Sequence, residues 1–190
     1  MLVYKLIKKI KFYFHRYELK CQNKILKKAV LINGGSIGKN IRFGYNVVIS
    51  GFSSIKIGNN VHIGSDCFIR SEGGLTIGNN VILSRNIVLY TSSHNYKGKL
   101  LPFDHNNINK PVIIEDNVWI GMNVTIAPGT IIREGSIIGL GSRIYGEIPA
   151  RTIIGSEKTS VIGYRDEEHY NDLKKKKKFC KENGTEYNEE

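Results

Sequence analysis

The amino-acid sequence predicts an all-β solenoid, in which one chain winds through many short parallel strands stacked on one another. Two observations predict this fold: a bulky apolar residue recurs every six positions, and a small or β-branched residue usually lies four positions after it. The two offsets are an even number of residues apart, so both side chains point to the same side of a short strand. The six-residue series consists of Ile37, Phe43, Ile49, Ile57, Ile63, Ile69, Ile77, Leu83, Leu89, Ile114, Ile120, Ile126, Ile132, Ile138 and Ile144.

The spacing of the repeats predicts coils of three hexads each, and stacked coils bury a continuous column of apolar side chains. Ile37, Ile57 and Ile77 follow one another at intervals of 20 residues. Ile77 and Ile114 are 37 residues apart, which indicates that one coil carries a long irregular loop over residues 95–111. A compact domain seldom keeps such a loop without a functional use. An ordinary β-sandwich would have no reason to keep a six-residue period over so long a stretch.

The net charge of +11 is concentrated at the N-terminus, where residues 1–28 contribute +8. Residues 2–28 place Leu6, Ile10, Phe14 and Tyr17 on one stripe of a helix with lysines elsewhere, which predicts a basic amphipathic helix. We expect this helix to cap the solenoid, and contact with an anionic membrane is the alternative. The sequence contains no recognisable nucleic-acid-binding module, so we expect no nucleic-acid partner.

The cysteines are few and far apart: Cys21, Cys67 and Cys180. An odd, scattered set favours a reducing compartment over a disulfide framework. No apolar run is long enough for a transmembrane helix, and lysines interrupt any signal-peptide core near the N-terminus. We therefore expect a cytoplasmic protein. Its expected organisation is a helical segment over residues 1–30, a solenoid over residues 31–165, and a charged tail over residues 166–190 that begins with a helix.

Three segments resemble the hexapeptide-repeat acyltransferase family: residues 81–94, 111–129 and 137–149. Their layout is similar to the maltose and galactoside acetyltransferase branch and to the acetyltransferases of surface-polysaccharide gene clusters. The resemblance implies a left-handed parallel β-helix, against the usual preference for right-handed crossovers. It also implies acetyl-CoA as the donor, a sugar hydroxyl as the acceptor, and a homotrimer with active sites between subunits.

Acetyl transfer to a hydroxyl needs a base that removes the hydroxyl proton as the oxygen attacks. Imidazole suits this role because its unperturbed pKa is about 6.5. His94 ends a strand where the long loop begins, and enzymes of the family carry their catalytic histidine at this junction, so we expect His94 to be the general base. His62 follows the inward-facing Val61 and should point outward. His105 lies inside the loop, where we expect a polar loop residue or a contact to substrate.

The resemblance places acceptor-binding polar side chains in the stretch that contains Asp66, Arg70 and Glu72. A carboxylate at Glu72 could accept hydrogen bonds from two sugar hydroxyls. The alternative is that Glu72 belongs to a solvated turn in the sequence S-E-G-G.

The resemblance also implies that the pantetheine arm of the coenzyme lies in a groove between neighbouring β-helices, bonded mainly to the backbone of the later coils. Trp119 follows the inward-facing Val118, so its ring should point outward. We expect Lys158 and Arg165 to contact the phosphates, since cations pair well with them. The remaining positions that match the coenzyme groove are Trp119, Gly121, Met122, Leu140, Gly141, Tyr145 and Gly146.

The sequence departs from the family pattern in the later coils. Leu140 replaces a commoner Ala, and Tyr145-Gly146 replaces a hydroxyl residue followed by Lys. The closing motif, usually Gly-Asn-Pro-Ala-Lys, reads Gly-Ser-Glu-Lys over residues 155–158 with one extra residue after it. These changes bear on how the coenzyme phosphates are held.

Three other functions compete with sugar O-acetylation. An N-acetyltransferase acting on an amino sugar or sugar nucleotide could use the same histidine, but such enzymes often carry an N-terminal domain larger than the segment present here. A carbonic anhydrase shares the solenoid and needs three histidines on zinc; His62, His94 and His105 lack the matching spacing, so we expect no metal. A non-catalytic scaffold would have no need of His94 beside a long loop.

Overall fold

A parallel β-solenoid of about six coils forms the body of the chain, which confirms the predicted fold class. The computed structural model describes residues 2–156, 163–176, 178–180 and 186–187. Each full coil contributes one short strand to each of three parallel sheets, which we call the first, second and third faces. The chain divides into two compact units, Met1–Ser156 and Glu157–Glu190.

The strands of each face pair in order from coil to coil. The first face contains Ser36–Ile37, Ile55–Ile57, Leu75–Ile77, Val112–Ile114, Ile131–Ile132 and Glu147–Ile148. The second face contains Arg42–Phe43, His62–Ile63, Ile82–Leu83, Trp119–Ile120, Ile137–Ile138 and Ile153–Ile154. The third face contains Val48–Ser50, Phe68–Arg70, Val88–Tyr90, Thr125–Ile126 and Arg143–Ile144.

The core is the column of side chains that the six-residue pattern predicts. Every residue of that series is buried except Ile37, which is half-buried. In the later coils the second inward position becomes a buried hydroxyl, at Thr130, Ser136 and Ser142. Each hydroxyl donates a hydrogen bond to a backbone carbonyl, of Ala127, Pro149 and Gly139 respectively. The buried polar groups therefore keep hydrogen-bond partners, as burial requires.

Asparagines form the corner between the first and second faces. Asn40, Asn60, Asn80 and Asn117 all have a positive φ, between +55° and +60°, a left-handed conformation that Asn tolerates better than most residues. The side-chain amide of each donates to the side-chain oxygen of the next, and Asn117 donates to Glu134. The same residue type therefore satisfies the turn geometry and links neighbouring coils.

The N-terminal helix, Leu2–Ile32, packs on the first coil chiefly through its second half. Leu26 and Val30 are buried, and Asn23 exchanges two hydrogen bonds with the backbone of Phe43, at 2.7 and 2.8 Å. The expectation of a cap is confirmed for this half of the helix. The face that packs differs from the apolar stripe seen in the sequence, because Ile10, Phe14 and Tyr17 of that stripe are exposed.

The long loop is more regular than the sequence analysis expected. Ser92–His94 and Asn107–Asn109 form an antiparallel hairpin at the base of this excursion, with His94 opposite Asn107. The excursion leaves the coils in register, since Leu75–Ile77 pairs directly with Val112–Ile114. Asp104 organises its outer part by accepting hydrogen bonds from the Asn95 side chain and the Asn106 backbone, at 3.0 and 2.9 Å.

The second unit contains a helix at Glu167–Lys175, as the charge pattern predicts. Asp166 caps it by accepting a hydrogen bond from the backbone N–H of His169 at 2.7 Å, which is a favoured arrangement at a helix N-terminus. A two-stranded antiparallel pair, Phe179–Cys180 with Glu186–Tyr187, follows it and was not anticipated. In the described part of the chain, no helix has both the length and the apolar character needed to cross a bilayer.

The core column should dominate the stability of the solenoid. Ile120 is 0% exposed and Ile153 is 76% exposed, although both lie on strands of the second face. Ile120→Ala should lower the free energy of unfolding by about 2–5 kcal/mol because it leaves a cavity. Ile153→Ala should change it by less than about 0.5 kcal/mol. Urea unfolding followed by circular dichroism measures both, and equal losses would contradict the assigned core.

Candidate active site

His94 lies where the third coil leaves the solenoid and the hairpin begins. Its ring stacks on Phe103, with ring centroids 3.8 Å apart and planes inclined by 7°. Phe103 comes from the far part of the excursion, so the hairpin brings the two rings together. The imidazole is exposed on its other side. The arrangement orients the ring and leaves its nitrogens free to reach a ligand.

A cavity of about 260 Å³ opens beside His94. Its wall on the solenoid side is built by side chains at the ends of successive third-face strands. Arg70 and Tyr90 are register partners there, and the Arg70 guanidinium lies over the Tyr90 ring at 5.5 Å. The complete lining is Arg70, Tyr90, Ser92, Ser93, His94, Asn107 and Pro128.

Glu72 follows Arg70 around the same corner. The carboxylate oxygen Oε1 accepts a hydrogen bond from Ser50 at 2.7 Å and lies 3.5 Å from Nε of Arg70. Burial acts to raise the pKa of Glu72, but the hydrogen bonds from Ser50 and its own backbone N–H, with the charge of Arg70, outweigh burial and lower it. Glu72 is therefore an oriented, ionised acceptor.

The second oxygen of this carboxylate lacks a partner. Oε2 of Glu72 is buried and, among the described residues, receives no hydrogen bond. Buried polar atoms nearly always have a hydrogen-bond partner, so a buried carboxylate oxygen without a donor needs an explanation. Because this oxygen is buried and Glu72 is not among the residues that line the cavity, a ligand would meet it only after the carboxylate moves.

Asp66 occupies a different corner from Arg70 and Glu72. It lies at the turn that precedes the strand Phe68–Arg70, whereas Glu72 follows that strand. Arg85 pairs with it at 2.7 Å, and hydrogen bonds from Arg85 and then Asn46 lower its pKa. Asp66 therefore lies outside the cavity that His94 lines in this chain.

The positions expected to bind the coenzyme fall on two edges of the solenoid. Trp119 lies on the second face, exposed as predicted, with Nε1 donating to Ser84 Oγ at 3.4 Å. Four further positions lie at the corner between the second and third faces, where the Gly141 backbone N–H donates to the Met122 carbonyl at 2.8 Å. These four are Gly121, Met122, Leu140 and Gly141.

Tyr145 and Gly146 lie on the edge that carries His94. Arg70, Tyr90, Ala127 and Tyr145 follow one another up this edge at the same strand position. Tyr145 is 81% exposed, so its ring is available to another molecule. Within one chain, the third face separates this edge from the corner that holds Met122 and Leu140.

The structure describes one of the two expected phosphate contacts. Lys158 falls outside the described residues. Arg165 belongs to the second unit, where its guanidinium lies over the ring of Tyr170 at 4.9 Å.

The other histidines differ clearly from His94. His62 is on the outer surface of the second face, as predicted, but half-buried, and its Nδ1 is buried without a partner among the described residues. Burial and then the charge of Arg42 lower the pKa of His62. His105 is exposed in the excursion. Over the described ranges, no three His, Cys, Asp or Glu side chains come together as metal ligands.

Sequence reasoning missed several residues that shape the site. Phe103, Tyr90, Ser50 and Pro128 carry no recognisable motif. The repeat itself could have indicated Tyr90 and Ser50, because they take the position of Arg70 in adjacent coils. Nothing in the sequence links Phe103 to His94.

Comparison with known sequences identifies the repeat. Residues 111–146 match the family described as bacterial transferase hexapeptide (six repeats), and residues 54–91 match the hexapeptide repeat of succinyl-transferase. These two stretches of the chain therefore carry hexapeptide repeats. Both matched stretches lie within the solenoid, and the segment between them contains His94 and the excursion.

Sugar acetyltransferases are among the relatives of this chain. Galactoside O-acetyltransferase of Escherichia coli (strain K12) is 38% identical over 63 residues, covering 32% of this chain and 31% of that protein. WbbJ of the same strain, provisionally named a lipopolysaccharide biosynthesis O-acetyl transferase, is 43% identical over 51 residues, covering 27% and 26%. The matched segments thus span about a quarter to a third of these relatives.

A solved structure shares the solenoid architecture over most of the chain. It is a hexapeptide-repeat-containing acetyltransferase of Vibrio cholerae O1 biovar eltor, complexed with acetyl coenzyme A. It superposes with a TM-score of 0.60 at 25% identity and covers 74% of this chain and 83% of its own. The hexapeptide-repeat body, rather than an isolated motif, is therefore common to both.

The His94–Phe103 stack can be tested without assuming any activity. The ring current of Phe103 should shift the His94 ring-proton resonances upfield, and Phe103→Ala should return them toward free-histidine values. Two-dimensional NMR measures this, with His94→Ala assigning the signals. Phe68→Ala is the control, because Phe68 contacts Tyr90 and not His94. Unchanged resonances in Phe103→Ala would disprove the stack.

Proposed function

We propose that this chain is an acetyltransferase that moves an acetyl group from acetyl-CoA to a sugar hydroxyl, with His94 as the general base. The observation that carries the proposal is the exposed imidazole of His94, oriented by Phe103 beside a small cavity whose wall includes Arg70, the ion-pair partner of Glu72. The galactoside relative and the acetyl-CoA complex of the Vibrio protein support the choice of acceptor and donor.

His94 alone can carry out both proton transfers of the acetyl-transfer reaction. A neutral imidazole nitrogen takes the proton of the acceptor hydroxyl as its oxygen attacks the thioester carbonyl. The tetrahedral intermediate then collapses, the carbon–sulfur bond breaks, and the imidazolium returns its proton to the departing thiolate. The stack with Phe103 holds the ring in the orientation that both transfers need.

Glu72 and Arg70 are proposed to hold the acceptor. Arg70, which pairs with Glu72 and lies over the Tyr90 ring, would donate to one hydroxyl of the sugar. The Glu72 carboxylate, once turned toward the cavity, would accept from another. Vicinal hydroxyls of a sugar offer donors and acceptors at matching distances. Asp66 remains a candidate acceptor contact on the evidence of the resemblance, although it lies at another corner.

The coenzyme is proposed to lie between two copies of the chain in a homotrimer. In one chain the expected contacts occupy two edges, with His94 and Tyr145 on one and Met122 and Leu140 on the other. Facing edges of neighbouring copies would bring the two sets together in a single groove. Exposed Trp119, Met122 and Leu140 supply apolar surface for the pantetheine arm. Lys158 and Arg165 stay as proposed phosphate contacts.

We further propose that the acceptor belongs to surface-polysaccharide biosynthesis in the cytoplasm. The likeness to WbbJ supports the pathway, and the unpaired thiols of Cys21 and Cys67 suit a reducing compartment. N-acetylation of an amino sugar is the alternative within the same site, since the base would act in the same way.

Removing the general base should abolish most of the activity. His94→Ala should lower kcat at least about a hundredfold, measured by thiol release from acetyl-CoA with a panel of sugars, amino sugars and sugar nucleotides. His105→Ala is the matched control, since it removes an exposed histidine of the same excursion. Equal activity of His94→Ala and the wild type would remove His94 from the mechanism. Acetylation of amino sugars alone would favour the N-acetyltransferase alternative.

A site shared between copies predicts complementation between inactive variants. Leu140→Arg should block the coenzyme groove, and His94→Ala should remove the base from the opposite edge. Co-expressed and co-purified, the two variants should regain about a quarter of wild-type activity, because about one interface in four combines two intact edges. Sedimentation should give a mass about three times that of the 21.4 kDa chain. Absence of any regain would contradict a site between copies.

A further inference from the structure

The first half of the N-terminal helix exposes an apolar stripe that the solenoid does not cover. Ile7, Ile10, Phe14 and Tyr17 recur at three- or four-residue intervals, and all four are exposed. Side chains at this spacing lie on one side of a helix. Apolar stripes of this kind on a helix normally face a protein core or a binding partner. We therefore expect another molecule to cover this stripe.

The stripe faces away from the solenoid. Leu26 and Val30 define the side that packs on the first coil, and Tyr17 is nine positions before Leu26. At about 3.6 residues per turn, nine positions are about two and a half turns, so Tyr17 lies on the opposite side of the helix from Leu26. Rotating the helix to bury the stripe would expose Leu26 and break the hydrogen bonds between Asn23 and Phe43.

Positive charge surrounds and continues the stripe. The helix Leu2–Ile32 contains nine Lys or Arg residues and one acidic residue, Glu18. Lys24 and Lys28 are exposed and lie seven and eleven positions after Tyr17, which places both within about 20° of it around the helix. The face that is apolar in its first half therefore carries two lysines in its second half, beside the exposed Ile25 and Ile32.

This combination selects among the classes of partner. A purely apolar partner would leave Lys24 and Lys28 without counter-charges, and a purely acidic partner would leave Ile10 and Phe14 in water. An anionic bilayer surface offers both environments at once, with acyl chains for the apolar stripe and phosphate headgroups for the lysines. Interfacial helices bind through this sum of apolar burial and electrostatic attraction.

We propose that the N-terminal helix docks on an anionic lipid bilayer, with Ile7, Ile10, Phe14 and Tyr17 inserted at the acyl boundary and Lys24 and Lys28 at the headgroups. The helix packs on the first coil, whereas His94 lies at the end of the third coil, so docking leaves the His94 edge uncovered by the helix. The inference is independent of the acetyl-transfer chemistry and concerns where the protein resides.

The test uses the full-length protein and sedimentation with lipid vesicles. Vesicles of phosphatidylglycerol and phosphatidylcholine in equal parts should pellet the protein, and vesicles of phosphatidylcholine alone should pellet much less. Binding to the anionic vesicles should weaken as salt is raised, because salt screens the lysine contribution.

Two variants with the same change in charge distinguish insertion of the apolar side chains into the bilayer from electrostatic attraction of the helix to its surface. Phe14 and Phe12 are both exposed aromatics, 63% and 57%, but Phe12 lies on the solenoid side of the helix. Phe14→Glu should lower vesicle affinity at least about tenfold, through loss of apolar burial, whereas Phe12→Glu should have a much smaller effect. Circular dichroism and thermal melting confirm that both variants fold.

Several outcomes would overturn the proposal. Equal losses in the two variants would show attraction without insertion, and no pelleting of the wild type would exclude the bilayer. If Phe14→Glu instead lowered the sedimentation mass of the protein without lipid, the stripe would be an interface between copies of this chain.

Discussion

The structure depends on one backbone constraint: every coil must turn through a left-handed residue at a fixed place. Asn40, Asn60, Asn80 and Asn117 meet this constraint along one edge, and their amides bond to each other from coil to coil. Because these turns repeat in register, the strands between them stack in register too. The inward Ile and Val side chains then align into a column whose burial supplies the main stabilisation. Apolar burial provides the driving force, and the asparagine corners determine the shape that it stabilises.

The repeat explains how much of the fold could be predicted from sequence. The inward-facing positions occur at fixed offsets in every hexad. Local spacing in the sequence therefore predicts the solenoid, its core residues and the outward position of Trp119. The orientation of the N-terminal helix cannot be predicted in this way, because two faces of the helix are apolar. Contacts with the first coil determine which of the two faces packs. The selection rests on Asn23, whose amide matches both backbone groups of Phe43. A polar residue thus decided the packing of a helix that the apolar pattern alone misassigned.

The site was predictable to the extent that it follows the repeat. His94, Arg70 and Glu72 lie on one edge because coil length places equivalent strand ends above one another. Phe103 lies beyond the repeat, in an excursion whose hairpin register no periodic rule specifies. The family resemblance groups Asp66 with Glu72, but within this chain the strand Phe68–Arg70 separates the two residues, which lie at different corners of the solenoid. On a solenoid, closeness along the edge matters more than closeness along the chain.

The excursion leaves and rejoins the solenoid without disturbing it. Leu75 pairs with Val112 as though the intervening residues were absent, so the length and content of the excursion carry little energetic coupling to the coils. Such a segment can be exchanged, shortened or lengthened as a module while the scaffold stays intact. Changes within the excursion could therefore alter the space beside His94 while the coils below keep their packing.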